Sequence, residues 1–333
     1  MATEPAEGGW VTSWWFSALV MVVCVPLSLA LYGAFIQVAA DLTNLVAWLV
    51  LAGTVAVTVA FFSFQPPANR WYLALTALAV IVLAPIYFLV VRAISDPTES
   101  FTSSVLRPVG VRFDGFSKAW SRGDLDAAML RTLIVTVLIT SLQVATSVLA
   151  AYAFAFLDFP FKKVVFAFFM ATLLLPLEVT LLPNLQTMRD LDWFNTYQGL
   201  VVPFAASAFG TFLIRQGFLG IPTEIRDAAR LEGWGHFTFL WRFAVPLTRP
   251  VIASFTVISF LGAFNQYLWP RAVITDTENW STVQLALRGL TTSVQESHIP
   301  VAGAIITAVP IIILLALFQR QIVSGLTAGA VKG

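Results

Sequence analysis

Charge is scarce in this 333-residue sequence. Lys, Arg, Asp and Glu together supply 11% of it, against 58% for the apolar set. Average soluble domains carry roughly 25% charged residues, and a globule with so few could not cover its surface in water. The charges nearly balance, at net +1, which excludes a nucleic-acid binder with a basic face. The apolar content excludes disorder. A single cysteine, Cys24, permits no internal disulfide and excludes a stapled secreted scaffold. In its apolar run it reads as a packed thiol. The two histidines, His236 and His298, stand far apart in sequence. No HExxH, CxxC or carboxylate cluster accompanies them, so no metal site is expected. Neither GxSxG nor the phosphate-binding GxxxxGK(S/T) occurs, so no catalytic residue is expected in this chain.

What the sequence does have is long uncharged runs. A span needs about 20 apolar residues to cross about 30 Å of hydrocarbon. The gaps between charges hold eight: Glu7–Asp41, Asp41–Arg70, Arg70–Arg92, Arg131–Asp158, Lys163–Arg189 (interrupted once, at Glu178), Asp192–Arg215, Arg249–Arg271 and Glu296–Arg320. Backbone groups must be paired within lipid and the runs lack the alternation of barrel strands, so the fold class is an all-α polytopic membrane protein. The first run follows Glu4 and Glu7 and no basic residue, unlike a signal peptide, and is expected to be retained. Arg215, Arg226, Arg230, Arg242 and Arg249 fall in one linker; by the positive-inside rule that side, and with it both termini, is cytoplasmic. Arg92–Arg131, rich in Ser, Gly, Pro and charge, is expected to form short helices and turns on the other side. Residues 1–70 form a two-span hairpin distinct from 71–333.

The informative segment runs from Ile221 to Phe237 and on to Pro250. Pro222 suits a first helical position, and Glu224 in the first turn favours the helix dipole. Ile221, Ile225, Ala228 and Ala229 recur at helical spacing as one apolar face. Gly233 can stop the helix in a left-handed turn. A second short helix is expected from about Trp234 to Arg242, with Pro246 and Pro250 framing the next span. From pattern alone this pair could simply rest on the lipid interface.

The segment Asp227-Ala228-Ala229, then Gly233, then Pro246 resembles the EAA loop of ABC-importer permeases. Asp227 stands where that family has Glu, and Glu232-Gly233-Trp234 where it has Asp-Gly-Ala. Leu175–Val179, Phe212–Gln216 and Phe264–Pro270 resemble the glycerol-3-phosphate E-type subunit of the carbohydrate-importer family. The tail Gly325–Gly333 resembles that of the maltose-type G subunit. The likeness covers about 70–333, with two extra amino-terminal helices as a departure. It implies a type I importer transmembrane domain of six helices, with a cytoplasmic coupling helix around 221–243.

Several expectations follow from that resemblance. Glu224, Asp227, Ala228, Ala229, Gly233 and Trp234 would dock on the ATPase, and Gly325, Leu326 and Thr327 would reach it through the tail. The ATP and Mg would be bound by the partner ATPase, with no cofactor in this chain. The other partners would be a second permease subunit, an ATPase dimer, an extracellular or periplasmic solute-binding protein, and membrane lipid. The location would be the bacterial inner membrane.

Four polar residues within spans are pathway candidates. Ionisable groups in spans are functional candidates by default, and Glu178 could face the ammonium of a choline head beside an aromatic ring. The bland alternative is a carboxylate at a helix break near Pro176 and Pro183. Asn265, Gln266 and Tyr267 read as interhelical glue, with a place on the substrate path as the alternative. Trp10, Trp14, Trp15, Trp71 and Trp193 fall near span edges, as belts do. His236 reads as a surface contact and His298 as a loop residue. The expected solute is glycerol-3-phosphate or a glycerophosphodiester such as glycerophosphocholine. A di- or oligosaccharide such as trehalose or maltose is the alternative. An ion-driven secondary transporter is the rival of another class, and no inverted repeat supports it.

Overall fold

The computed structural model describes residues 70–97, 108–290 and 296–327. Cys24, the two spans expected before Arg70, and the last six residues of the tail lie outside them. The chain divides into two compact units, Met1–Arg112 and Phe113–Gly333.

The first unit contributes α1, Arg70–Ile94, with Pro85 inside it. Its end is tied off locally. The Ser95 hydroxyl donates to the Val91 carbonyl at 2.6 Å. The Arg112 N–H donates to Ile94 O at 2.8 Å, and the Arg112 guanidinium pairs with Asp96 at 3.0 Å.

The second unit begins with the short helix α2, Asp114–Arg122. A turn at Gly123 and left-handed Asp124 leads into α3, Leu125–Phe156. Its 32 residues rise about 48 Å, more than the hydrocarbon needs. The charge-gap reading started this span at Arg131; the helix starts earlier and Arg131 lies on its second turn. Three buried clusters are strung along α3. Leu125 and Ala128 pack with Phe264, Val283 and Ile299. Val135 and Ile139 pack with Leu200 and Trp269. Val148, Ala151 and Tyr152 pack with Ile214, Phe218, Phe239 and Phe255.

The next spans are bent, although their charge-poor runs are continuous in sequence. α4, Lys162–Ala171, passes through a 3-10 turn at Thr172–Leu174 to α5, Leu177–Asp190, with a 99° change of direction. Pro176 causes it: proline has no N–H to continue a helix and holds Leu175 extended. α6, Tyr197–Val201, and its 3-10 extension Val202–Phe204 meet α7, Ala208–Leu219, at 44°. The Ser207 hydroxyl caps α7 by accepting from Gly210 N–H at 3.1 Å. Two short helices follow, α8, Thr223–Leu231, and α9, His236–Phe239. The second was expected to end near Arg242, but it continues through a π turn at Leu240–Ala244 to Leu247. After an 80° bend comes α10, Arg249–Phe264. Then follow α11, Leu268–Val273, α12, Val283–Gly289, and α13, His298–Thr327. α10 packs on both α3 and α13, and α7 packs on α3.

Among the described residues two helices are long and apolar enough to cross a membrane, or up to five spans if each bent pair counts as one. Leu182, Phe168, Ile312 and Leu317 are exposed. In water these would be costly; facing hydrocarbon they are not. His298 is not in a loop. It opens α13 and is buried, 3.9 Å from the Asp114 carboxylate on α2.

Candidate functional site

α8 is stopped as expected and starts one residue later than expected, with Pro222 as its N-cap rather than its first helical residue. Glu224 lies in its first turn and Arg230 in its last. Gly233 takes φ +76°, the left-handed conformation that costs a residue with a Cβ about 1–2 kcal/mol. The Gly233 N–H donates to Arg230 O and the Trp234 N–H to Ala229 O, each at 3.0 Å. This pair of bonds is a Schellman stop, which satisfies the last carbonyls and reverses the chain.

The reversal anchors one face of α8 and frees the other. Ala229 is 3% exposed and packs with Ile221, Ile225 and Trp234 on the Tyr152–Phe218–Phe239 cluster. Ala228 was grouped with that apolar face; it lies on the outer one, exposed beside Glu224 and Asp227. Leu231 is 90% exposed, and Phe237 and Trp241 on the following helix are also exposed. Charged and large apolar groups thus share one outward surface. Trp234 is half-buried instead. Its ring lies under the Arg242 guanidinium at 4.8 Å and edge-on to Phe243 at 5.3 Å.

One link was not legible in the sequence. His236 Nδ1 lies 3.0 Å from the Tyr152 hydroxyl near the end of α3. Spacing gives no signal for it, since the two residues are 84 positions apart. His236 is exposed, as a surface residue would be, and through this contact it also ties the helix pair to the longest span. A small cavity of about 80 Å³ lies beside them, lined in part by Arg226, Arg230 and Trp234.

The candidate pathway residues do not gather in one place. Glu178 is exposed in the first turn of α5, directly after the 99° bend. Asn265 and Gln266 follow α10, where Asn265 accepts from the Gln284 amide at 3.2 Å. Tyr267 lines two neighbouring cavities. Gly325, Leu326 and Thr327 form the end of α13.

The larger of those cavities, about 720 Å³, is lined by Arg122, Arg131, Arg271 and Arg288 together with Asp124 and Glu278. These arginines come from four separate elements, so no run of basic residues announced them. No group of three or more metal-ligating side chains occurs among the described residues.

Bent spans around one long central helix, with an anchored helix pair presenting an outward face, describe the membrane subunit of a transporter. The model of a family described as "Binding-protein-dependent transport system inner membrane component" matches residues 143–327. The sn-glycerol-3-phosphate transport system permease protein UgpE of Yersinia pestis bv. Antiqua (strain Antiqua) is 31% identical over 260 residues, covering 74% of this chain and 91% of that one. UgpE of Rhizobium meliloti (strain 1021) is 33% identical over 258 residues, with the same coverage of 74% and 91%. A crystal structure of a bacterial ABC transporter involved in the import of the acidic polysaccharide alginate shares the fold. Its TM-score is 0.66 at 21% identity, covering 77% of this chain and 98% of that one.

The chain belongs to the family of binding-protein-dependent transport system inner membrane components. It is a multi-pass permease subunit of an ABC importer and not an enzyme. Such a subunit works with a second permease, an ATPase and a solute-binding protein. The secondary-transporter rival falls with that assignment.

Proposed function

We propose that this subunit forms one half of the path through which glycerol-3-phosphate, or a glycerophosphodiester such as glycerophosphocholine, enters the cell. The relatives named for sn-glycerol-3-phosphate transport, 31–33% identical along nearly their whole length, support this solute class. Residues 221–243 are the coupling segment, and the face carrying Glu224, Asp227, Ala228 and Leu231 docks on the ATPase. Ala229, Gly233 and Trp234 hold that face in position. The cytoplasmic side is therefore the side of α8, with both termini there and Gly325–Thr327 directed at the same ATPase.

The observation that carries the coupling role is the combination of a fixed stop and a free face. A docked helix transmits force only if it cannot swivel on its own subunit. The Schellman bonds, Ala229 burial and the Tyr152–His236 contact hold α8, while Asp227 and Ala228 remain exposed. Closure of the ATPase would then move the core as a rigid body between two states.

The test is uptake by the assembled importer in proteoliposomes. Labelled glycerol-3-phosphate and glycerophosphocholine should enter in an ATP-dependent manner, and trehalose or maltose should not. Sugar uptake in their place overturns the solute assignment. Ala228→Asp, on the free face, should insert normally and abolish uptake. Normal uptake by that variant would sink the coupling role. Glu178→Gln should weaken uptake of the choline diester more than of glycerol-3-phosphate, because only the first carries an ammonium. Equal effects remove the contact between Glu178 and the ammonium.

A further inference from the structure

The arginine-lined cavity has no part in coupling. It lies near the start of α3, where Arg131 stands, and the coupling contact is at Tyr152 near the other end. The 21 residues between them rise about 31 Å, the thickness of the hydrocarbon. The cavity is thus at the mouth opposite the ATPase face, where solute arrives. We propose that it is an anion site that receives the phosphate or phosphodiester group of the incoming solute, with Arg271 and Arg288 as its ligands. The solute named here rests on the function proposed above.

Charge is the first argument. Four guanidiniums line the cavity and two carboxylates, Asp124 and Glu278, face them. Among the lining residues positive charge is in excess; the nearby acids fall on the other two arginines, with Glu296 pairing with Arg122 at 2.9 Å and Asp276 interacting with Arg131. Two of the four arginines are fixed by the protein: Arg122 by that pair, and Arg131 by donating to the Ser281 carbonyl at 2.6 Å. The other two have no ion-pair partner among the described residues. Arg288 lies 5.6 Å from the Tyr267 ring centre, which orients its plane without neutralising it. Arg271 is exposed one turn further on, on α11. Guanidiniums suit a phosphate because their planar forks donate two parallel hydrogen bonds to its oxygens.

Shape is the second argument. A volume of about 720 Å³ falls within the roughly 300–1,000 Å³ typical of small-molecule sites. A flat basic face would suit an acidic protein surface; here the charges line a concavity. Continuity is the third. Tyr267 and Arg288 also line a second cavity of about 530 Å³, which Gln284, Leu287 and Ala304 extend toward α13. A solute held by its anionic end at Arg288 already touches the wall of this next space. Tyr267, read from sequence as either glue or pathway, stands at the junction.

The experiment uses the assembled importer in nanodiscs without its binding protein. Phosphorus NMR line broadening of inorganic phosphate, and then of sn-glycerol-3-phosphate, reports binding directly. Wild type should broaden both signals, the Arg271→Gln/Arg288→Gln double variant should broaden neither, and Arg271→Lys/Arg288→Lys should retain part of the effect. In proteoliposomes with saturating binding protein, KM for glycerol-3-phosphate should rise at least about tenfold in the glutamine variant, as expected for losing charge-assisted bonds. Unchanged broadening in the double variant overturns the site. So does weaker docking of the solute-free binding protein with phosphate broadening intact, which makes the arginines a protein-docking face. Arginine-dependent phosphate binding in an importer that does not take up glycerol-3-phosphate supports the site and rejects only the solute named for it.

Discussion

The Tyr152 hydroxyl and the His236 imidazole Nδ1 lie 3.0 Å apart, one near the end of the longest span and the other at the start of α9. Around this bond the Tyr152 ring packs against Phe156, Phe218 and Phe239. The bond therefore sets the angle at which the helix pair meets the span, while the rings supply the burial. Tyr152→Phe separates the two. It keeps the ring and removes a hydrogen bond worth about 1 kcal/mol net. Insertion and assembly should be unchanged, and solute moved per ATP hydrolysed should fall about fivefold, the population ratio for that energy. A variant with wild-type stoichiometry shows that the bond has no part in coupling.

Gly233 should be replaceable only by a residue that tolerates its backbone. A Cβ there meets nothing within 4 Å, so the constraint is the φ of +76° and not space. Gly233→Ala should loosen the stop at a cost of about 1–2 kcal/mol and lower coupled ATPase activity. Gly233→Asn, whose side chain tolerates the left-handed region, should retain more of it. Equal loss in both points to contact with the ATPase rather than to backbone conformation.

Gly210 is constrained by space instead. A Cβ there would overlap the ring of Phe255, itself buried where α7 meets α10. Gly210→Ala should cost about 1–3 kcal/mol through overpacking. It should lower the melting temperature of the purified importer, and adding Phe255→Leu should restore part of the loss. A melting temperature equal to wild type shows that the two helices part without cost.

Asp276, outside the spans, makes a local acid-sensitive turn. Hydrogen bonds from the Asn279 side chain and backbone N–H, at 2.9 and 3.1 Å, hold its carboxyl below the ordinary aspartate range. A depressed carboxyl stabilises at every pH above its unfolded value and loses that effect as pH falls through the folded one. Hydrogen exchange at the Asn279 amide should therefore show no added opening from neutral pH down to the ordinary aspartate range, and opening only in stronger acid. Opening already near neutrality contradicts the assignment.

Much of the 221–243 segment was legible because its information is local. Pro222 at the start, Glu224 in the first turn, Gly233 at the stop and the Ile225–Ala229 spacing each act within a few residues. Ala228 was misplaced because it sits at the border of the apolar stripe, where period alone does not say which neighbour covers it. The bends were only partly legible. Pro176 announces one and Pro246 and Pro250 flank the 80° turn at Thr248, but the angles follow from no local pattern. His298 read as loop because no local pattern signals the Asp114 carboxylate that approaches it.

The sequence by itself determined a helical membrane protein, its charge-free runs and the stop of α8. In lipid, backbone pairing leaves no choice but helices, and caps and stops are written in adjacent residues. The tertiary structure decided which residues meet across the chain. It alone joins Tyr152 to His236, and it alone gathers Arg122, Arg131, Arg271 and Arg288 around one cavity. Such contacts arise from the packing of distant helices, and a linear pattern carries no record of them.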